Sequence, residues 1–348
     1  MNPYIYATLL FGLGLGTTLT FSSSHWLLAW MGLEINTLAI IPLMAQTHHP
    51  RAVEASTKYF LTQAAAAAML LFASISNAWI TGQWEIQHMN HPVPATLITL
   101  ALALKIGLAP LHTWMPEVLQ GLDLTTGLIL STWQKLAPFC LLLQFQPPNY
   151  NILLMLGILS TLVGGWGGLN QTQLRKILAY SSIAHLGWML LVLQFSPSLT
   201  LMTLLTYFIM NFSLFLTFKT NHSMNINFLS TSWAKAPALT SKLPLILLSL
   251  GGLPPLTGFF PKWMILQELA KQDLAPLATL GALFALFSLY FYLRLSYAMT
   301  LTMSLNNLTG TLPWRLSPRF FSLPLAISTS LTICLLPLAP AGMTLLAS

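Results

Sequence analysis

The sequence predicts an all-α, polytopic membrane protein with about eleven transmembrane helices, and three observations support this prediction. Of the 348 residues, 55% are hydrophobic and only 6% are charged, whereas a soluble domain carries about 25% charged residues. Apolar runs long enough to cross a hydrocarbon layer recur from one end of the chain to the other. These runs show no alternation of polar and apolar residues, which argues against a membrane β-barrel. Helices must then satisfy the backbone inside the lipid.

The predicted spans follow one another without a long polar segment between them. They cover residues 3–22, 25–45, 59–80, 94–110, 122–145, 151–170, 178–196, 198–218, 242–260, 274–302 and 320–346. The longest polar connections, near 219–241 and 303–319, are too short for a separate soluble domain. We therefore expect residues 1–348 to form a single membrane domain.

Basic residues are concentrated in the connections that follow an even number of spans. These connections hold Arg51, Lys58, Arg175, Lys176, Lys219, Lys235, Lys242, Arg315 and Arg319. The opposite connections hold little beyond Glu85, Lys271 and Asp273. By the positive-inside rule, the amino terminus and the even connections face the cytoplasm or matrix, and eleven spans place the carboxyl terminus on the other side. The net charge of +7 is thus a topology signal. It gives no nucleic-acid footprint, because no exposed domain is present to concentrate it.

Four ionisable side chains inside predicted spans are the main candidates for function. They are Glu34, Lys105, Lys135 and Lys262, each in a different span. A charge at mid-membrane costs about 3 kcal/mol on insertion scales, so such residues persist where they face protein, a partner or water. Desolvation favours the neutral form of both acids and lysines, and a Glu–Lys pair opposes that effect. Such a set predicts a proton path, whereas a structural ion pair or snorkelling is the alternative for any single lysine.

Two histidines extend this pattern. His112 lies just after a predicted helix break, and His185 lies inside the seventh span. Histidine is the side chain that titrates nearest physiological pH, so both are candidates for the proton path. A buried histidine that only donates and accepts structural hydrogen bonds is the alternative for each.

Two similar breaks interrupt the fourth and ninth spans. The segments Gly-Leu-Ala-Pro-Leu-His (107–112) and Gly-Leu-Pro-Pro-Leu-Thr-Gly (252–258) combine glycine and proline inside apolar runs. The ninth span comes five spans after the fourth, and because five is odd the two cross in opposite directions, as in inverted-topology repeats with discontinuous helices. We expect a first repeat at roughly 1–220, broken at 107–112, and a second at roughly 239–320, broken at 251–262.

The sequence gives no sign of a redox cofactor or a metal site on this chain. A Gly-x-Gly-x-x-Gly turn after a strand, which would indicate a nicotinamide site, is absent. The two cysteines, Cys140 and Cys334, both lie in spans and cannot supply the spacing of an iron–sulfur cluster. We therefore expect no catalytic residue for electron transfer, no bound cofactor and no metal.

Five strings carry a resemblance to a known family. They are HWLLAWMGLEINTLAIIPLMA (25–45), KIGLAPLHTWMP (105–116), TTGLILSTWQKLAP (125–138), RKILAYSSIAHLG (175–187) and GGLPPLTGFFPKW (251–263). The chain resembles, over essentially its whole length, the subunit 2 family of antiporter-like membrane subunits in mitochondrial NADH–ubiquinone oxidoreductase, respiratory complex I. Its predicted span number resembles the shortened animal form, which lacks three amino-terminal helices.

The resemblance implies a mechanism and a setting. Glu34 would modulate Lys105, and protons would pass along a hydrated axis through Lys135 toward Lys262, with His112 and His185 as intervening polar residues. Flavin and iron–sulfur clusters would belong to other subunits of the complex. Neighbouring antiporter-like subunits and membrane lipids would be the partners. The chain would lie in the mitochondrial inner membrane, with its amino terminus toward the matrix and its carboxyl terminus toward the intermembrane space.

Two further hypotheses fit the same residues. The chain is an autonomous cation/proton antiporter on the same architecture, or it is a structural membrane-arm subunit whose buried charges only brace the fold. The first predicts ion exchange by the purified chain alone, and the second predicts that removing Lys135 leaves pumping intact in an assembled complex.

Overall fold

The computed structural model describes residues 2–46, 48–89, 91–145, 150–234, 237–302 and 322–347. Within these ranges the chain is helical, and its only β contacts are two isolated bridges. The helices are α1 (Pro3–Ser22), α2 (Trp26–Met44), α3 (Pro50–Thr81), α4 (Pro92–Ile106), α5 (Trp114–Gly121), α6 (Leu124–Ser131), α7 (Trp133–Gln144), α8 (Tyr150–Gly168), α9 (Leu174–Val192), α10 (Pro197–Asn221), α11 (Ile226–Ser230), α12 (Pro237–Gly251), α13 (Phe259–Lys271), α14 (Ala275–Thr300), α15 (Ser322–Cys334) and α16 (Ala339–Ala347). The predicted all-α class is confirmed.

Judged by helix length and apolarity, the structure has fewer candidate membrane crossings than the sequence predicts. Seven described helical segments are long and apolar enough to cross, if α6 and α7 are counted together as Leu124–Gln144. The bent pair Leu323–Cys334 and Leu336–Leu345 makes an eighth if it is one span. Pro92–Ile106 and Pro237–Gly251 are apolar but shorter, because each ends at a helix break. Every predicted span overlaps a helix, but the count of about eleven is not confirmed.

The chain divides into two compact units, Met1–Leu159 and Ser160–Ser348. In the first unit, α1 packs along α2 and α3 packs along α4. A glycine pair lets α1 and α2 approach closely, since a Cβ added at Gly16 would lie 2.7 Å from the Gly32 carbonyl oxygen. The prediction of a single membrane domain made of two repeats, with boundaries near 220 and 239, remains a prediction.

In the second unit, α10 packs against α9, α12, α13, α15 and α16. The glycine-rich end of α8 packs against α14, where a Cβ at Gly165 would meet Phe287 and one at Gly168 would meet Phe291. Arg294 of α14 donates from Nη1 to the Leu169 carbonyl at 2.6 Å, which satisfies a backbone group just beyond the end of α8. The glycines therefore serve close helix packing.

Candidate functional site

The first helix break lies between α4 and α5, at residues 107–113. Gly107 adopts a left-handed conformation with φ +84°, which a side chain would disfavour. Its N–H donates to the Ala103 carbonyl at 2.9 Å, and the Leu108 N–H donates to the same carbonyl at 3.0 Å. The indole Nε1 of Trp114 donates to the Leu104 carbonyl at 3.1 Å. A neutral side chain thus completes the end of α4.

The second break lies between α12 and α13, at residues 252–258, and has the same length as the first. Gly252 also adopts a left-handed conformation, with φ +83°. Its N–H and that of Leu253 both donate to the Leu248 carbonyl, at 3.1 and 3.3 Å. The Lys262 ammonium donates to the Gly251 carbonyl at 2.8 Å and to the Leu250 carbonyl at 3.3 Å. A lysine amine therefore completes the end of α12, and Lys262 lies in the first turn of α13.

An ion-pair cluster ties the segment after the first break to α3. Lys58 Nζ lies 2.7 Å from Glu54 Oε1 on its own helix and 2.8 Å from Glu117 Oε2 on α5. Because α3 begins at Pro50, earlier than its predicted start, Lys58 belongs to this helix instead of to the preceding connection. The cluster is exposed, so its contribution to stability is small and salt-dependent.

Lys105 and Lys135 line one cavity in the first unit, although they come from α4 and α7. Lys105 is 6% exposed and Lys135 is 2% exposed. The free volume at the centre of the cavity is about 10 Å³, close to the space that one water molecule needs. Lys105 Nζ makes no hydrogen bond to any described residue. Two amines from different helices therefore line one small cavity.

Glu34 lies beside this cavity, because its neighbours Leu33, Asn36 and Thr37 form part of the wall. The Thr37 hydroxyl lies 2.8 Å from the Glu34 carbonyl oxygen and 3.0 Å from Glu34 Oε2, so its one proton is shared between the two acceptors. Both residues lie in described helices, where Glu34 interacts electrostatically with Lys105 but forms no ion pair with it within 4.0 Å. The acid is therefore near enough to influence the amine through space without direct contact.

Lys135 follows a third interruption that the sequence analysis did not predict. Helix α6 ends at Ser131, α7 begins at Trp133, and Thr132 between them has φ −115° and ψ −72°. The Thr132 hydroxyl donates to the Leu128 carbonyl at 2.7 Å, a bond that competes with the helical backbone. Lys135 thus lies in the first turn of a helix, as Lys262 does.

His185 and Lys262 line a second cavity, of about 20 Å³, in the second unit. Its other polar lining residues are Thr203 and Thr206, and Met189 and Met210 contribute apolar surface. The pairing of one imidazole with one amine in a confined space supplies two groups that can each hold or release a proton.

Like Glu34, His112 lies in neither cavity wall. It is half-buried in the first break, and its Nδ1 lies 3.3 Å from the Pro110 carbonyl oxygen. The structure therefore groups Glu34 with Lys105 and Lys135, and His185 with Lys262, and it leaves His112 at the break itself.

The sequence analysis missed several polar residues of the first cavity wall. Asn36, Tyr59, Gln63 and Gln134 all line it. The Gln134 amide donates to the Asn36 carbonyl at 3.2 Å, and the Gln63 amide donates to the Lys105 carbonyl at 3.5 Å. Each amide lies inside an apolar run, where an unpaired polar group is costly, and this was the signal that could have found them.

Among the described residues, no group of three or more His, Cys, Asp or Glu side chains is arranged to hold a metal ion. Cys140 is partly buried and Cys334 is exposed, and both are free. The basic side chains that line the two cavities are three amines and one imidazole, and the Glu34 carboxylate lies beside the first cavity.

Comparison with known proteins places these features in a family. Residues 23–288 match a family described as "NADH:quinone oxidoreductase/Mrp antiporter, TM", and residues 289–343 match "NADH dehydrogenase subunit 2 C-terminus". The chain is 75% identical over 345 residues to NADH-ubiquinone oxidoreductase chain 2 of Tetraodon nigroviridis and 69% identical over 346 residues to that of Gadus morhua. In both comparisons, 99% of each chain is covered.

Solved structures agree with this result. A chain of respiratory complex I from Thermus thermophilus is 29% identical and superposes with a TM-score of 0.86, covering 98% of this chain and 80% of that chain. A chain of an archaeal membrane-bound sulfane sulfur reductase has a TM-score of 0.84 over 98% of this chain and 74% of its own, at 20% identity, and so shares the fold alone. On the full-length relatives and the two family matches, the chain belongs to the NADH–ubiquinone oxidoreductase chain 2 family, as the five sequence strings predict.

Proposed function

We propose that Glu34, Lys105, Lys135, His112, His185 and Lys262 form the proton path of a membrane-arm subunit in the proton-pumping NADH–ubiquinone oxidoreductase. The observation that carries this proposal is the burial of Lys105 and Lys135 against one cavity, from helices that are far apart in sequence. Amines held in such a space are expensive to keep unless their charge state is used. The relatives that share this chain's full length carry the name of the oxidoreductase.

Each residue has a role in this proposal. Glu34 acts through space on Lys105, so a change in its charge alters the ease with which Lys105 holds a proton. Lys135 shares the cavity with Lys105 and receives the proton from it through water. His185 and Lys262 carry the corresponding step in the second unit. Protons pass toward Lys262, and His112 is the member of the path that lies at the first break.

The chain itself performs no electron transfer in this proposal, and flavin and iron–sulfur clusters lie in other subunits. Its partners are those subunits, the neighbouring antiporter-like subunits above all, and the lipids of the mitochondrial inner membrane. The amino terminus faces the matrix and the carboxyl terminus faces the intermembrane space. The concentration of Arg and Lys in the even connections supports this orientation.

The decisive experiment replaces Lys135 with Met in the assembled complex and measures protons pumped per electron in liposomes. Methionine fills a similar apolar volume but cannot carry a proton, so pumping should fall or turnover should stall. Lys242→Met is the matched control, because Lys242 is an exposed lysine and should tolerate the change. An assembled Lys135→Met enzyme with the parent proton-to-electron ratio would mean that the buried charges only brace the fold.

A second liposome preparation separates the proposal from the autonomous antiporter. If the purified chain alone, in liposomes, exchanged Na⁺ or K⁺ for protons at rates comparable to pumping by the complex, the antiporter hypothesis would replace the proposal. We expect no such exchange, since relatives that match over nearly the full length carry the name of a subunit of a larger oxidoreductase.

A further inference from the structure

Two side chains that line the first cavity have buried polar atoms that pair with no described residue. They are Lys105, through its Nζ, and Asn36 of α2, through both Oδ1 and Nδ2 of its amide. Asn36 is 2% exposed. Of all the described residues that have such atoms, only these two line either of the cavities described above. An unpaired buried polar group is costly, so a ligand that pairs with both side chains would remove two costs at one place.

The packing around Asn36 holds this residue between α1, α7 and the cavity. On the α1 side, a Cβ added at Gly16 would collide with Asn36 Oδ1, so the glycine leaves the space that the amide occupies. On the α7 side, the Gln134 amide donates to the Asn36 backbone carbonyl at 3.2 Å. Gln134 directly precedes Lys135, the second amine of the cavity. Asn36 is therefore fixed by two neighbouring helices at a point beside both amines.

One water molecule fits both the size and the chemistry of this cavity. The free volume of about 10 Å³ is close to what one water needs, and a buried water makes about three hydrogen bonds to polar partners. The Asn36 amide offers two donors and an acceptor. The Lys105 amine offers donors when it is charged and an acceptor when it is neutral. An apolar ligand of the same size would leave all of these atoms unpaired.

We propose that Asn36 is a positioning residue of the proton path, which holds one ordered water against Lys105 in both charge states of that lysine. This inference rests on the proposed function, because it concerns the water through which Lys105 and Lys135 exchange a proton. When Lys105 is charged, its ammonium donates to the water oxygen, and Asn36 Oδ1 accepts a water proton. When Lys105 is neutral, its nitrogen accepts a water proton, and Asn36 Nδ2 donates to the water oxygen.

An amide suits this task because it has both a donor and an acceptor and carries no charge. An ionised carboxylate at position 36 could only accept, and its charge would favour the ammonium form of Lys105. The water gives a proton to Lys135 as it takes one from Lys105, so the water itself is unchanged. The step leaves Lys105 neutral and Lys135 charged, and protons and charge balance.

The direct test is a density map of the assembled complex at a resolution that shows ordered water. In the parent, we expect one water within about 3.2 Å of both the Asn36 amide and Lys105 Nζ. In Asn36→Leu, which has a similar shape but no polar side-chain atom, this water should be displaced or absent. Parent density without a water between the two side chains would overturn the inference, and this observation requires no variant to assemble.

The functional test measures coupled turnover of Asn36→Leu per assembled complex. We expect turnover to fall about tenfold or more, since a small error in the placement of reacting groups can cost about 10²-fold. Asn77→Leu is the matched control, because Asn77 is also a buried asparagine whose Oδ1 pairs with no described residue, but it lines neither cavity. Its turnover should match the parent.

A second pair of variants separates the loss of hydrogen bonding from a change of shape. Asn36→Val and Asn36→Thr place side chains of nearly the same shape, but only threonine has a hydroxyl that can hold the water. The threonine variant should therefore recover most of the turnover that the valine variant loses. Equal turnover in the two variants, or the parent water and parent turnover in Asn36→Leu, would overturn the role of Asn36.

The outcomes also distinguish this inference from the function on which it rests. If Lys135→Met stops pumping while Asn36→Leu pumps as the parent does, the role of Asn36 fails and the proposed function stands. If neither variant changes pumping, both fail.

Discussion

At residues 107–113 and at residues 252–258 the chain leaves a helix through a left-handed glycine, but a different side chain completes each helix end. In the first unit the indole of Trp114 donates to a freed carbonyl of α4. In the second unit the ammonium of Lys262 donates to two freed carbonyls of α12. Both breaks have seven residues and begin with a left-handed glycine, and the chemical nature of the donor differs.

Because of this difference, the charge of Lys262 affects the end of a helix, whereas the charge of Lys105 does not. Lys105 makes no hydrogen bond within the described part of the chain, so its charge can change without altering the end of α4, which Trp114 holds. Lys262 both carries a proton and supports a helix end, because its Nζ donates the hydrogen bonds to the Leu250 and Gly251 carbonyls. A bond from a charged donor is about twice as strong as a neutral one, so loss of the Lys262 charge weakens the helix end.

The largest expected effect tests whether the two breaks are interchangeable. Gly258 and Thr113 both stand at the last position of a break, but a Cβ at Gly258 would collide with the backbone carbonyl oxygen of Ser249. We expect Gly258→Thr to abolish assembly, as judged by native electrophoresis of the complex. Thr113→Gly, at an exposed site without a side-chain cap bond, should cost about 1 kcal/mol or less. Normal assembly of Gly258→Thr would show that the tight second break is not required.

A smaller effect should distinguish the two tasks of Lys262. Lys262→Met and Lys262→Gln both remove the titratable amine, so both should lose coupled pumping. Only glutamine keeps a donor for the freed carbonyls, and a buried carbonyl left unsatisfied costs about 1–3 kcal/mol. The methionine variant should therefore melt at a lower temperature than the glutamine variant. Equal melting temperatures, measured in the purified complex, would show that the Lys262 cap does not support α12.

The smallest expected effect is at the first break. Trp114→Phe removes the bond to the Leu104 carbonyl and should destabilise the subunit by about 1 kcal/mol. Protons pumped per electron should stay at the parent value, since no titratable group is lost. Trp166→Phe, at an exposed tryptophan, controls for the loss of ring size. A drop in the pumping ratio of Trp114→Phe alone would mean that the first break is coupled to proton transfer as the second is.

Local sequence was enough to predict the breaks, because glycine and proline together inside an apolar run disfavour a continuous helix. It was also enough to single out the buried lysines, since charge in a span is costly. It did not predict the interruption at Thr132, because threonine is tolerated in helices, and the same hydroxyl bond to the carbonyl four residues earlier occurs at Thr17 and Thr62 inside continuous helices. Nor did it predict which side chain caps each break, a choice that depends on the course of the chain after the gap.

The walls of the cavities were the least predictable part of the site. Gln134 and Asn36 meet through a hydrogen bond although they are 98 positions apart. Nothing in their local patterns pairs them, because such a contact exists only after α2 and α7 have packed.

The position of each lysine relative to its gap has a mechanical consequence. Lys105 precedes the left-handed glycine of the first break and lies in α4, the helix before that break. Lys262 follows the left-handed glycine of the second break and lies in α13, the helix after that break. In the first unit, a tilt of α5, the helix after the break, would leave Lys105 in place. In the second unit, a tilt of α13 would move Lys262 away from the carbonyls to which it donates and bring its amine to a new neighbour.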